Sequence, residues 1–234
     1  MVSVVTCSFR EEMIENIVQN FLRQEYEPKE LIIVLNRLTD KEPWESQLAG
    51  IPTIRVFQLE SGTLGECLNL GADMAKYTII AKFDDDDFYS STYLSNSIHL
   101  FTTTKANVIG KSTIFVYFKR NKTLSLFRLG MENQYVTNIK KNALAGGTLM
   151  FKKEILKTVQ FAPINLGEDI QFQIDCLRRR IPLYSGSRYD YTMIRFLSEH
   201  LHTWQVDDQK FQSHCIKIAE TESFETYISS AGPV

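Results

Sequence analysis

"VSVVTCSFREEMIENIVQNFLRQEYEPKELIIVLN", residues 2–36, decides the fold. Val2, Val4, Val5 and Thr6 open it as a β-branched run, the composition of a strand. Between residues 11 and 24 the apolar positions Met13, Ile14, Ile17, Val18, Phe21 and Leu22 recur at helical spacing. Pro28 ends that helix, and "ELIIVLN" (residues 30–36) begins a second apolar run short enough to be a buried strand. The unit is strand, helix, strand.

The same rhythm continues through "TIRVFQ" (residues 53–58), an amphipathic segment at 64–75 with Leu64, Cys67, Leu68 and Ala72 on one side, and "YTIIAKF" (residues 77–83). Short apolar strands separated by helices predict a parallel sheet covered on both faces. Such sheets bind ligands beyond the carboxyl ends of their strands. Residues 6–9, Asn36 and an acidic run starting at Asp84 all fall at that edge.

Past residue 87 the pattern changes. A helix is expected at 91–103, then strands in "NVIGKSTIFVYF" (107–118) and "TLSLFRLG" (123–130), joined by the polar "KRNK" as an antiparallel pair. "LAGGTLMF" (144–151) predicts a close turn into another strand, and "KKEILKTV" (152–159) a short helix. No linker, repeat or low-complexity stretch divides the chain, so the expectation is one compact unit of two lobes, 1–110 and 111–234.

With 234 residues, 44% of them hydrophobic, the chain is long enough to bury a large core. Its net charge of -2 gives no reason to expect nucleic acid or an anionic membrane as partner. There is no basic segment leading into a long apolar one at the start, and no later stretch reaches the ~18 apolar residues of a membrane span. Any membrane contact is therefore expected to be peripheral. Cys7, Cys67, Cys176 and Cys215 are scattered without zinc or redox spacing, which fits reduced thiols in a cytoplasmic protein. "NKT" at Asn121 matches a glycosylation acceptor only by chance if the chain is not secreted.

"KFDDDDFY" (82–89) sets four aspartates side by side after an apolar strand. Two carboxylates ~4 Å apart repel by about 4 kcal/mol at the effective dielectric of a protein surface. The cluster is either a solvated turn or charge collected for a cation that the sequence does not contain. An EF-hand starting at Asp84 would need Gly at position 89 and Glu at position 95, where the chain has Tyr89 and Ser95. Mn²⁺ or Mg²⁺ held by one or two of these carboxylates and by ligand phosphates fits better. "GKS" at 110–112 lacks the earlier glycine of a phosphate loop, since position 105 is Lys105. No G-x-G-x-x-G follows a predicted strand, which disfavours a dinucleotide site.

A second acidic element, "GED", places Glu168 and Asp169 after Gly167 at the start of a helix marked by Ile170, Ile174 and Leu177. Acidic residues there suit the helix dipole by themselves. Their coincidence with a turn glycine and a separate acidic cluster suggests chemistry as well.

Taken in order, "VSVVTCSFREE", "ELIIVLN", "GECLNLGADMAKYTIIAKFDDDDFY" with its D-x-D element, "GGTLMFKKEIL" and "GED" resemble the inverting glycosyltransferases of family two. The resemblance implies the GT-A fold, a Rossmann-like nucleotide-binding mixed α/β sheet with helices on both faces and a smaller α+β acceptor-side lobe. It implies a nucleotide-sugar-binding lobe at 1–110 and an acceptor-binding lobe at 111–234. It also implies a divalent metal between the D-x-D carboxylate and a diphosphate, with the acid of the "ED" element deprotonating an acceptor hydroxyl.

Carried onto these residues, the resemblance assigns the nucleotide-sugar site to Thr6, Ser8, Asn36 and Gly147, with Asp84 or Asp85 near ribose and base. Asp86 matches the metal ligand, and Asp87 a position of variable role. Asn36 stands where the family commonly has Asp or Glu. Asp169 is the candidate base and Glu168 its alternate. The "Q-x-x-R-W" element of processive synthases is missing, so one sugar per encounter is expected. In "HLHTW", His202 is a candidate further metal ligand, whereas His99 reads as a packed or surface histidine. Arg178 to Arg180 read as a solvated helix end.

The expected activity is transfer from a UDP-sugar, or next a dTDP-sugar, to a glycan or small-molecule acceptor in cell-surface or secreted polysaccharide biosynthesis. The rival enzyme, a sugar-phosphate nucleotidyltransferase, would want a glycine-rich loop where "TCSFREE" has none. The non-enzyme rival is a silent nucleotide-sugar-binding module.

Overall fold

The computed structural model describes residues 1–36, 41–196 and 206–229. The chain opens with β1 (Val2–Ser8), α1 (Ile14–Leu22), β2 (Lys29–Leu35), α2 (Glu42–Leu48), β3 (Ile54–Gln58), α3 (Leu64–Met74) and β4 (Ile79–Lys82). It continues with β5 (Phe88–Tyr89), α4 (Tyr93–Thr103), β6 (Val108–Gly110), β7 (Ile114–Phe118), β8 (Thr123–Phe127), β9 (Gln134–Tyr135), α5 (Ile139–Asn142) and β10 (Met150–Lys152). It closes with α6 (Glu168–Arg178), β11 (Leu183–Ser185), β12 (Tyr191–Arg195), α7 (Asp208–Gln212), β13 (Cys215–Glu220) and α8 (Glu225–Ile228).

An eight-stranded sheet runs β3-β2-β1-β4-β10-β6-β11-β9. Strands β1 to β4 pair in parallel, as the opening stretch requires. Alternation along each strand then sends side chains to opposite faces. Val4, Leu31, Ile33 and Leu35 pack with Ile14, Ile17 and Phe21 of α1 and Trp44 of α2. Val5, Ile32, Val34 and Ile80 pack with Leu68 and Ala72 of α3 and Phe172 and Cys176 of α6. Helix α3 starts on a capping box between Thr63 and Glu66. It approaches the sheet so closely at Gly71 that a Cβ there would lie 2.5 Å from Val5 Cγ1.

A second sheet of five strands runs β13-β8-β7-β12-β5. The hairpin expected across residues 119–122 is present, with β7 antiparallel to β8. Residues 107–118, expected as one strand, instead form two strands in different sheets: β6 in the large sheet and β7 in the small one. The physical reason lies in the three polar residues between them. Lys111 N–H donates to Thr148 Oγ1 at 2.9 Å and Ser112 N–H to Ser185 Oγ at 2.9 Å, while the Thr113 hydroxyl donates to the Arg128 carbonyl at 2.5 Å. Those side-chain partners replace a strand ladder. The short helix expected at 152–159 is a 3-10 turn over Lys153–Lys157.

The acidic turn is a second crossing between the sheets, because β4 belongs to the large one and β5 to the small one. Both crossings lie at the carboxyl edge of the parallel strands. All four cysteines are free, and no helix among the described residues is long and apolar enough to cross a membrane.

Lys111 is buried at this seam, its ammonium donating to the Ser187 carbonyl at 2.8 Å and lying over the Tyr93 ring. Burial pulls its pKa down to about 8, opposed by the more distant Asp190. Between about pH 8 and the ordinary lysine value the unfolded chain holds the extra proton, so this group makes stability rise with pH across that window. Below pH 8 its buried charge costs the full amount. Urea titrations of the wild type and Lys111→Met will therefore show the variant gaining more relative stability at pH 7 than at pH 10.

Candidate active site at the seam of the two sheets

The four aspartates are held by the chain's own cations and amides. Lys82 Nζ pairs with Asp84. Ser8 Oγ donates to Asp85 Oδ2 at 2.5 Å, and Arg10 donates to the same carboxylate through Nε at 3.0 Å and through Nη2. Arg10 Nη2 also lies 3.0 Å from Asp86. Asp87 turns inward, accepting from the Tyr191 hydroxyl and from Ile194 N–H at 3.1 Å. Arg10 and Lys82, two cations of the chain itself, thus meet part of this charge. Asp87, matched to a variable position, is a buried strut joining the acidic turn to β12.

Helix α1 pins the turn's backbone. Asn16 Nδ2 donates to the carbonyls of Asp85 and Asp87, and Asn20 Nδ2 to that of Asp87 at 2.8 Å. Asn20 Oδ1 accepts from Tyr89 N–H. Asn16 and Asn20 are four apart, so they share a helix face. The apolar stripe of α1 therefore grips the sheet while its polar neighbours grip the acidic loop.

Exposure separates the carboxylates. The Asp84 side chain is 35% exposed and that of Asp86 15%, against 8% for Asp85. Burial, and then the neighbouring Asp86, push Asp85 up to about 6 against the pull of Arg10 and Ser8. Burial likewise raises Asp87 well above the carboxylate range, reinforced by Asp86 and Asp84.

The "GG" turn faces this cluster across the seam. A Cβ on Gly147 would lie 2.8 Å from Asp84 Oδ2, and one on Gly146 would lie 2.6 Å from Asp169 Oδ2. Three carboxylates thus press on the adjacent glycines, Asp84 and Asp87 from the acidic turn and Asp169 from α6. The Tyr89 hydroxyl fixes the first contact, accepting from Asp84 N–H at 2.8 Å and donating to the Gly147 carbonyl at 2.7 Å. Gln173 fixes the second: it accepts from Leu144 N–H at 2.8 Å and returns a bond to the Leu144 carbonyl at 3.0 Å, clamping the turn's approach to α6.

Gly167, at φ +83, supplies the left-handed residue that starts α6 and sets Glu168 and Asp169 in its first turn. Glu168 is 5% exposed, and burial raises it to about 7 although Lys82 opposes this. Burial raises Asp169 as well, again against Lys82. Lys82 itself is 4% exposed; burial disfavours its charge, but Asp84, Glu168 and Asp169 outweigh that and hold it protonated. One buried ammonium therefore serves both acidic elements.

On the neighbouring strands, Thr6 is 1% exposed, and among the described residues neither its Oγ1 nor the buried Asn36 Oδ1 has a hydrogen-bond partner. Both are therefore available to a water or a ligand. Both lie at the carboxyl edge, where the pairing of β1 with β2 ends at Ser8 and Leu35. His202 lies outside the described residues, and His99 is on the surface. Arg178 to Arg180 are exposed as expected.

Sequence reading missed Arg10, Lys82, Asn16, Asn20, Gln173 and Tyr191, and it offered Tyr89 only as a ring that could stack on sugar or base, where its hydroxyl instead bridges Asp84 and Gly147. Only Lys82, adjoining the aspartates, carried a signal that could have revealed its role.

Among the described residues no trio of His, Cys, Asp or Glu is arranged to hold a metal ion. Mg²⁺ and Mn²⁺ centres that bind ligand phosphates need only one or two protein carboxylates. Asp86, with Asp84 beside it, fits that requirement, since both side chains reach solvent while Asp85 and Asp87 are buried.

The family model Glycosyl transferase family 2 matches residues 3–160, and the chain belongs to that family of transferases. The O-antigen biosynthesis glycosyltransferase WbnJ of Escherichia coli is 24% identical over 163 residues, covering 67% of this chain and 63% of that relative. This chain thus aligns with somewhat under two thirds of the relative's length. S. aureus TarS 1-349 shares the fold at a TM-score of 0.64 and 18% identity, over 82% of this chain and 60% of its own. A structure of the same TarS segment in complex with UDP-GlcNAc gives 0.62 and 18%, over 91% of this chain and 64% of its own. The expected mixed α/β sheet with helices on both faces is the fold observed.

The two glycines make separable predictions. Gly146→Ala will displace Asp169 and lower transfer by up to ~100-fold while UDP binding persists, the scale of a ~1 Å misplacement near a reaction centre. Gly147→Ala will crowd Asp84 and weaken UDP binding instead. Calorimetric titration of UDP beside a transfer assay distinguishes the two.

Proposed function

We propose that this enzyme moves one sugar from a nucleotide-diphosphate sugar, UDP first and dTDP second, to a hydroxyl of a glycan or small-molecule acceptor, with inversion at the anomeric carbon. The observation carrying this reading is the glycine turn held between Asp84 and Asp169, which brings a carboxylate of the acidic turn and one of α6 against adjacent residues. Residues 1–110 form the donor lobe in this reading, and 111–234 the acceptor side. The UDP-GlcNAc complex of the structurally similar TarS supports UDP as the first nucleotide to test.

Thr6 and Asn36 would give their unpartnered oxygens to the nucleoside, and Asp84 would accept from ribose hydroxyls. Ser8 and Asp85 shape the floor, because each is engaged with the other. Asp86 would hold Mn²⁺ or Mg²⁺, which when bound supplies Lewis-acid stabilisation of the departing diphosphate. Asp169 would take the proton from the attacking hydroxyl, as a base must stand within hydrogen-bond reach of it. Glu168 is the alternate base. No covalent nucleophile is required, so direct attack from the opposite face inverts the carbon. We place the reaction in the cytoplasm, with the product entering a cell-surface or secreted glycan.

Burial raises Asp169, so its ionised form is lost as pH falls through a value above the ordinary aspartate range. The acid limb of the activity profile will accordingly lie higher than an exposed aspartate would give. Asp169→Asn will leave UDP binding intact and cut transfer by ~100-fold or more, the scale of general-base loss. Unchanged transfer would give the role to Glu168, whereas UDP binding with no turnover in the wild type would mark a silent binding module. Asp86→Ala will abolish the dependence of UDP binding on Mn²⁺, measured by thermal shift with and without the ion.

A further inference from the structure

Asp86 already touches a cation of the chain. The Arg10 guanidinium spans two neighbouring carboxylates, and its side chain is only 11% exposed. Its two grips differ. On Asp85 it donates through Nε and Nη2 to a carboxylate that Ser8 also holds. On Asp86 it makes a contact at 3.0 Å through that same Nη2, and the Asp86 side chain is the more exposed of the two, 15% against 8%. Nε is held by Asp85, so it can keep Arg10 anchored while Nη2 gives up Asp86.

We propose that Arg10 is an internal counter-ion that occupies Asp86 until the diphosphate arrives, so that divalent cation and diphosphate bind as a coupled pair. The inference rests on the proposed metal role of Asp86. A divalent ion on Asp86 would set two further positive charges beside the guanidinium, a repulsion that grows where water is excluded. Diphosphate oxygens relieve it, because they accept from the guanidinium and coordinate the ion together. Arg10 then remains on Asp85 through Nε and redirects Nη2 from Asp86 to phosphate. Arg10 is thus a positioning residue that sets the order of binding, and each ligand raises the affinity of the other by one common factor.

The test is direct titration of Mn²⁺ by electron paramagnetic resonance, where bound ion leaves the six-line signal of the free ion, with and without UDP. In the wild type UDP will tighten Mn²⁺ by about 10-fold or more, within the usual range of coupling between sites. Arg10→Gln will bind Mn²⁺ alone about 10-fold tighter than the wild type, and its UDP enhancement will shrink correspondingly. Arg10→Lys keeps the charge but loses the fork that spans both carboxylates, and will tighten Mn²⁺ alone by roughly 3-fold or more. Thermal melts establish that each variant is folded, and either one suffices if the other is not. Variants that bind Mn²⁺ alone no tighter than the wild type overturn the inference, as does wild-type affinity that ignores UDP. A wild type that takes up no Mn²⁺ even with UDP overturns instead the metal role of Asp86.

Discussion

Four consecutive carboxylates can close a buried strand here because Arg10 and Lys82 reach them from two sides. Uncompensated neighbours would repel by about 4 kcal/mol per close pair at the effective dielectric of a protein surface. The turn would then have to splay into water, and β4 could not pass directly into β5. That passage joins the two sheets, so the opening between them exists because these charges are met. Asp87 shows the other half of the solution: pushed toward neutrality by burial, it becomes a hydrogen-bonding strut to Tyr191 and Ile194.

The rest of the site is hung from this turn by a short series of polar contacts. Tyr89, stacked on Phe83 with ring centroids 3.7 Å apart, carries the position of Asp84 to Gly147. Gln173 carries the other end of the same strap to α6, where Asp169 faces Gly146. Lys82 links the two elements electrostatically as well, since Asp84, Glu168 and Asp169 all act on its charge.

Legibility followed the length of each signal. The apolar stripe from Met13 to Leu22 and the runs at β1, β2 and β4 are long enough for periodicity to identify, and the fold followed from them. Strands of two or three residues, such as β5, β9 and β11, are too short to show a period and exist only because neighbours offer edges. The break between β6 and β7 was hidden because Lys111, Ser112 and Thr113 look like ordinary strand residues until Thr148, Ser185 and Arg128 are placed beside them.

The candidate site divides in the same way. Order along the chain sufficed for the acidic turn at a strand's carboxyl end, the paired glycines and the acids opening a helix, because each depends on local backbone geometry. Folding alone could pair Arg10 with Asp85 across 75 residues, set Tyr89 against Gly147 across 58, and turn Asp87 away from the opening toward Tyr191 across 104. Electrostatic compensation acts through space, and a carboxylate's role depends on which charges and donors surround it once the sheets have met.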